Sequence, residues 1–510
     1  MRPSRHGTRD ADPPLPRVAA PLGSIPPLSA ALGVAPLDSN RPPLGRTGRT
    51  GAQVGVHKQA THRPGPRAVP GSTGAERAGF VQIGSDVTEA SAGLSWGGEF
   101  DKRNLAMSAD GTVLAAGAPW SDAAAANAGE VRVFELVGGS WQPRGAPIYG
   151  SAQDNAGMSV ALSADGNTLA IGFPGADPSG LSDAGEVRVY AWDSSTWAPV
   201  GSPIAGLAAG DLFGLSLSLN ADATVVAVGD DPNPGQVRVF ELVSGSWQPR
   251  GGALQDPNGQ ELSEWCGVSL SADGNTLAIG FPGADPPGLS NAGEVRVYAW
   301  DSTTWAPVGS AMPGTLAAGN FGVSVSLSAD GTVVAFGSRA DPLGDLTRIG
   351  EIRVFEFVGG AWVPKGASLE GTISAGIGYN VFLSSDGTTL ASVAQTKIAG
   401  APDAVRSGVH VWKWSDAVEE WEPRGSLKSI IGSMALSGDG TAIAAGVTGG
   451  IQYVAAAPAV RVFRPTLAGQ EREWGRPGAA PHAPRRPAPH DRALGGAGAL
   501  WPGSSGGADA

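Results

Sequence analysis

A short turn of the form S-x-D-G, or a close variant, recurs seven times along the chain. Its aspartate stands at Asp110, Asp165, Asp222, Asp273, Asp330, Asp386 and Asp439. The spacings are 55, 57, 51, 57, 56 and 53 residues. A period of this length marks a propeller, solenoid or array, in which each unit buries its apolar face against its neighbours. Within the second unit four strand-like pieces are legible: GMSVALS, TLAIGF after the ADGN turn, EVRVYAW after a longer loop, and TWAPVG after DSS. Alternating apolar residues broken by Asp-Gly and Gly-Pro signals predict antiparallel strands joined by hairpins. Seven such units with no helical periodicity predict an all-β, seven-bladed β-propeller of four-stranded antiparallel blades.

The ends of the repeat array carry a further expectation. The fourth strand opens with Trp141, Trp197, Trp247, Trp305, Trp362 and Trp421, but the seventh unit stops at its third strand, AVRVF. The segment FVQIGS at 80–85 matches WAPVGS at 197–202. It is expected to complete the last blade and close the ring, which removes an open sheet edge. The propeller is therefore placed at 80–468, between a Pro/Arg/Gly-rich tail at 1–79 and a second tail at 469–510, both expected to be disordered. The first tail could equally be a presequence or a mispredicted start. Residues 160–202 and 268–310 differ at four of 43 positions, so a two-blade unit has been copied within the chain.

Composition supports this reading. The 77 glycines and 41 prolines make up about 23% of the 510 residues, near twice the usual share. Helix bundles and coiled coils are excluded by that content. The net charge of −12 is uneven: +7 in residues 1–79, −20 in 80–468 and +1 in 469–510. An acidic body repels phosphates and anionic lipid, so no nucleic acid partner is expected. Residues 441–460 lack charge but contain three glycines and Pro458, so no membrane span is expected either. Cys266 is the single cysteine and can make no internal disulfide.

The first strand and the loop after the second resemble FG-GAP repeats, the units of integrin-alpha-type propellers. The residues that carry this are Phe213-Gly214-Leu215-Ser216, Phe321-Gly322-Val323-Ser324-Val325-Ser326-Leu327, Gly117-Ala118-Pro119, Gly172-Phe173-Pro174 and Gly280-Phe281-Pro282. The resemblance covers essentially all of 80–468. It implies adhesion or ligand binding, usually outside the cell; the N-terminus shows no clear signal peptide, so the compartment is left open. Calcium-bearing members place several carboxylates in the turn between the first two strands. Here Asp165 and Asp273 stand alone in SADGNT, and one carboxylate cannot supply the oxygens calcium needs. No metal and no cofactor is expected.

Catalytic parts are scarce. Five of six histidines lie in the tails, and His410 occupies the slot filled elsewhere by Arg132, Arg188, Arg238, Arg296, Arg353 and Arg461. A zinc site, a Ser-His-Asp triad and a Cys-His pair all lack members. The expectation is a non-enzymatic, monomeric binding module. The repeated arginine is expected between blades, paired to a carboxylate, the alternative being a ring of anion-binding guanidiniums. The tryptophans are expected to pack between blades rather than form a sugar platform. The second-to-third and fourth-to-first loops share one face and vary most. The expected ligand-binding face is Trp120, Asp177, Asp183, Asp230, Asp231, Asp285, Asp341 and Asp345, presented to a protein or polysaccharide. The alternatives are a glycoside hydrolase using paired carboxylates and an intracellular scaffold of the WD-repeat kind.

Overall fold

An Asp-Gly turn flanked by alternating apolar residues makes a hairpin, and the computed structural model shows one in repeat after repeat. The chain divides into two units, Met1–Ser72 and Thr73–Ala510, and every described residue falls in the second. The structure describes residues 80–465, apart from 89–103, 231–234, 257–265, 339–349, 372–374, 379, 399–400 and 448–458. Both proposed tails therefore lie outside the described residues.

The fold is an all-β propeller of seven four-stranded antiparallel blades. Blade 1 comprises Leu105–Met107, Val113–Ala118, Glu130–Val137 and Ser140–Pro143; blade 2 comprises Val160–Leu162, Thr168–Phe173, Glu186–Trp192 and Trp197–Pro199. Blades 3, 4 and 5 repeat the pattern, starting at Ser216–Leu219, Val268–Leu270 and Ser324–Leu327. Among the described residues the single helical turn is Pro178–Gly180. In blades 1, 2, 4 and 5 a fifth, two-residue strand pairs with the start of the third: Ile148–Tyr149, Ile204–Ala205, Met312–Pro313 and Leu369–Glu370. Blade 3 has only an isolated bridge there, Val237 to Leu254.

Blades 6 and 7 are joined in one sheet. The 17-residue strand Glu420–Leu436 serves as the fourth strand of blade 6 and the first of blade 7. Blade 7 continues through Ile443–Val447 and Ala459–Pro465, and Phe80–Thr88 pairs antiparallel with the latter, Phe80 opposite Pro465 and Ile83 opposite Val462.

The core lies between blades. One cluster joins Val113 and Val131 of blade 1 to Leu169, Ile171 and Phe173 of blade 2, all buried. Another joins Leu105, Leu114 and Phe134 of blade 1 to Ala444, Val460 and Val462 of blade 7. A strand buried on both faces reads as a continuous apolar run, as VLAAGA and TLAIGF do. The signature glycines serve the same packing. A Cβ on Gly172 would sit 2.1 Å from the carbonyl oxygen of Gly214 in the next blade, and one on Gly280 would sit 1.9 Å from that of Gly322. Only glycine permits so close an approach of two backbones.

Each turn between first and second strands is held by its aspartate. In blade 1 the Asp110 Oδ1 accepts from Ser108 Oγ (2.7 Å), the Thr112 amide (3.0 Å) and Thr112 Oγ1 (2.8 Å). Burial opposes the charge on Asp110, Asp165, Asp222, Asp273, Asp330 and Asp386. The hydroxyl, side-chain amide and main-chain donors around them outweigh it and hold these carboxyls below the ordinary value. The turns are also linked to one another. The Ala109 amide donates to Ala164 O, Ala164 to Ala221, Ala221 to Ala272, Ala272 to Ala329, Ala329 to Ser385 and Ser385 to Gly438. Asp439 N then donates to Ala109 O at 2.8 Å, so the links form a closed cycle.

Candidate functional site

The strands alternate in direction, so the second-to-third and fourth-to-first loops emerge on one face. Main-chain bonds tie these loops together across neighbouring blades: Gly210 N to Ser182 O (2.9 Å), Leu212 N to Asp183 O (3.0 Å), Ala318 N to Ser290 O (2.7 Å) and Asn320 N to Asn291 O (3.0 Å). The face is thus a set of braced loops on a rigid ring.

Several of the acids proposed from sequence close their own loops. Asp177 Oδ1 accepts the Asp183 amide at 2.7 Å, and Asp285 Oδ1 accepts the Asn291 amide at 2.6 Å. Both donors sit at positive φ, 52° and 49°, a conformation that Asn and Asp tolerate better than most residues. Asp122 closes the blade 1 loop in the same way, from the Asn127 amide at 2.7 Å. Asp183 Oδ2 also accepts the Ser182 hydroxyl at 3.0 Å. Asp177, Asp183 and Asp285 remain solvent-exposed, whereas Asp230 is buried, with Oδ1 on the Gln236 amide at 2.6 Å. Asp231, Asp341 and Asp345 lie outside the described residues. Trp120 stands on this face with 40% of its surface exposed.

Two residues the sequence reading passed over stand out here. Leu207 and Leu316 occupy equivalent places in the fourth-to-first loops and are 68% and 54% exposed. The repeated L-A-A-G string, a leucine among small residues in a polar loop, was the available signal.

The arginine row lies just below this face. Residues i and i+2 of a strand share one side, and in blades 1 and 2 the guanidinium bonds the Glu two positions earlier: Arg132 to Glu130 (2.5 Å) and Arg188 to Glu186 (2.5 Å). Arg296 pairs with Glu294 likewise. In blade 5 the Arg353 to Glu351 distance opens to 3.9 Å, and Nη1 donates to Pro313 O at 2.9 Å. In blade 3 the glutamate is replaced by Gln236; Arg238 stands 3.9 Å from Asp230 instead. Burial is the main force on Asp230 and pushes its carboxyl up to about 6, with the negative charge of Asp211 adding to it. The Gln236 amide and the Arg238 charge pull the other way. In blade 6 His410 stacks on Trp412 at 5.8 Å, and burial lowers its pKa.

The tryptophans clasp adjacent blades. Nε1 of Trp197, Trp247, Trp305, Trp362 and Trp421 donates to a carbonyl of the preceding blade, at Arg144, Val200, Arg250, Val308 and Lys365, over 2.8–2.9 Å. Trp141 donates to Ile83 O at 3.1 Å, so the N-terminal strand supplies the equivalent carbonyl. Among the described residues no group of three or more His, Cys, Asp or Glu could hold a metal ion. No helix among them is long and apolar enough to cross a membrane.

No family model and no curated protein matches the chain. Solved structures do. The propeller domain of Myceliophteria thermophila Cps50 (Swd1) is similar at 10% identity and TM-score 0.46, over 75% of this chain and all of that one. A 6-phosphogluconolactonase, described as putative, from Bacteroides uniformis is similar at 13% identity and TM-score 0.42, over 62% and 84%. The periplasmic gluconolactonase of Pseudomonas aeruginosa gives 15% identity and TM-score 0.41, over 62% and 84%. Likeness at this level is a likeness of fold. It also corrects one expectation. Absence of a triad or metal set led the sequence reading to a non-enzyme, yet propellers similar to this chain include lactonases. The fold by itself excludes no reaction, and the non-enzymatic assignment is withdrawn.

Proposed function

We propose that this chain is a ligand-binding propeller, of the kind the FG-GAP resemblance implies, which presents its braced loop face to a protein or polysaccharide. One observation carries this reading. Leu207 and Leu316 project from equivalent loops two blades apart, each more than half exposed, on backbone fixed by bonds to the neighbouring loop. Exposed apolar side chains on rigid, repeated loops lose little entropy on binding, and they gain roughly 25 cal/mol per Å² of apolar area covered. Trp120 and the exposed carboxylates of Asp177, Asp183 and Asp285 supply the polar and aromatic part of the same face. Two equivalent anchors suit a ligand that itself repeats.

The test is binding of the full chain to chitosan, xylan and cellulose, and to polylysine as a basic polypeptide. At least one should bind, and a Leu207→Ser/Leu316→Ser double variant should bind it about tenfold more weakly with its melting temperature unchanged. Equal binding by the double variant, or no binding to any of the four, would overturn the loop-face reading. Release of soluble product from the polysaccharides would turn it from binding to catalysis.

A further inference from the structure

A cavity of about 640 Å³ opens at the seam between blades 2 and 3. Its wall includes Ile204, Leu207, Phe240 and Trp247 on the apolar side and Arg238 and Gln248 on the polar side. It lies at the blade whose loop after the second strand is short and where, among the described residues, a single bridge from Val237 to Leu254 stands in place of the fifth strand. Here the arginine row is also interrupted. With Gln236 in place of glutamate, Arg238 keeps a 3.4 Å bond from Nη1 to Ala205 O and a 3.9 Å approach to Asp230. Among the described residues, its Nε and Nη2 and the Asp230 Oδ2 are buried with no hydrogen-bond partner. A buried guanidinium with two idle donors is costly unless an acceptor arrives.

Three features limit what that acceptor can be. The Arg238 Cζ lies 4.0 Å from the Phe213 ring centroid and 5.9 Å from that of Phe240. Phe213 therefore packs against the guanidinium, and the geometry suits a planar, two-oxygen partner that meets its edge. Asp230 and Asp211 place negative charge nearby, so a single anionic charge is tolerated better than a dianion. Trp247 is fixed by its bond to Val200 O, and valine stands where Arg144 and Arg250 cover the tryptophans of neighbouring seams. A flat or ring-shaped body can pack there.

We propose that this cavity binds a cyclic organic carboxylate, its acid group on Arg238 and its ring against Trp247. The cavity shares Leu207 with the loop face, but its acid-binding group is Arg238, so the two readings are tested by different substitutions. A bound anion repels Asp230 and favours its protonated form, so affinity rises as pH falls through about 6. Arg238 and Asp211 are the charged groups that face Asp230.

Calorimetric titration of the full chain with benzoate and with glucuronate tests the proposal and separates an aromatic acid from a sugar acid as its source. Benzyl alcohol and glucose are the neutral controls. One acid should bind and its control should not, more tightly near pH 5.5 than near pH 7.5. Arg238→Gln should weaken binding about tenfold or more. Gln248→Glu, on the exposed rim, should also weaken it, and Asp230→Asn should tighten it. Those last two variants keep the answer clear if Arg238→Gln fails to fold. Binding of neither acid, equal binding of the neutral control, or an unchanged affinity in Gln248→Glu and Asp230→Asn would refute the site.

Discussion

The seam between blades 1 and 2 and the seam between blades 2 and 3 are built on one backbone pattern and finished differently. Both are clasped by a tryptophan Nε1 bonded to the preceding blade, Trp197 to Arg144 O and Trp247 to Val200 O. At the first seam the Arg144 guanidinium lies 5.2 Å from the Trp192 ring and 5.8 Å from Trp197. It also donates to Gly166 O (3.0 Å) and Asn167 Oδ1 (2.5 Å), and the two indoles are 5.4 Å apart. At the second seam valine replaces the arginine, and Leu242 stands opposite Trp247 in place of a second indole. The alternation continues: Arg250 covers Trp300 and Trp305, and Lys365 covers Trp414, while Val308 takes the position between them. Copying blades in pairs copies seams in pairs. The seams that carry a cation are filled, and at the other valine seam Phe357 packs on Trp362 at 5.1 Å, whereas the seam between blades 2 and 3 leaves room.

The largest expected effect comes from the N-terminal strand. We propose that Phe80–Thr88 closes the ring at its outer edge, since it pairs with Ala459–Pro465 and gives Trp141 its carbonyl. Deleting residues 80–87 should lower the melting temperature of the whole propeller and broaden the transition, because an open edge and an orphaned indole appear together. Melting that does not change would show that closure rests elsewhere.

Next in size is a direct contrast between seams. Trp197→Ala removes an indole stacked with Trp192 and covered by Arg144, and should cost about 4 kcal/mol. Trp247→Ala borders a cavity and lacks both partners, so about 2 kcal/mol is expected. Urea titrations of the two variants measure the gap, and equal losses would erase the distinction between filled and open seams.

The smallest effect concerns the charge buried behind the open seam. The folded value of Asp230, about 6, lies above its ordinary value of 3.8. Above pH 6 the native state therefore carries the cost of an ionised, buried carboxylate. As pH falls toward 4 the native state takes up a proton that the unfolded chain does not, and that cost disappears. Asp230→Asn should stabilise the protein by about 1 kcal/mol at pH 7–8 and by nothing near pH 4. A stability difference that does not vary with pH between those limits would show that Asp230 is not what titrates.

Much of this architecture was legible in the residues. The turn aspartates fixed the period, and Ile83 and Val200, aligned by the match of 80–85 to 197–202, each offer a carbonyl to a tryptophan Nε1. The unbroken strand Glu420–Leu436 was hidden because two strands read as separate whenever a Pro-x-Gly signal lies between them, as Pro423-Arg424-Gly425 does. The site was less visible. Asp177 and Asp285 look like free surface acids, and their bonds to amides six residues away depend on a local left-handed residue that spacing does not reveal. The cover of Arg144 over Trp197 joins residues of different blades, so no local pattern announces it. The idle donors of Arg238 follow from one Glu-to-Gln difference whose meaning appears only beside three intact pairs.

The cycle of bonds from Ala109 through Ala164, Ala221, Ala272, Ala329, Ser385 and Gly438, closed by the Asp439 amide on Ala109 O, uses main-chain atoms alone. What counts the blades is therefore written in a part of the molecule that substitution scarcely reaches. Loops and seams can drift, lose a glutamate or open a cavity, and the cycle still closes on seven. Adding or removing a pair of blades, by contrast, would have to re-angle every link at once. The protein is free to vary in what it touches and bound in how many times it repeats.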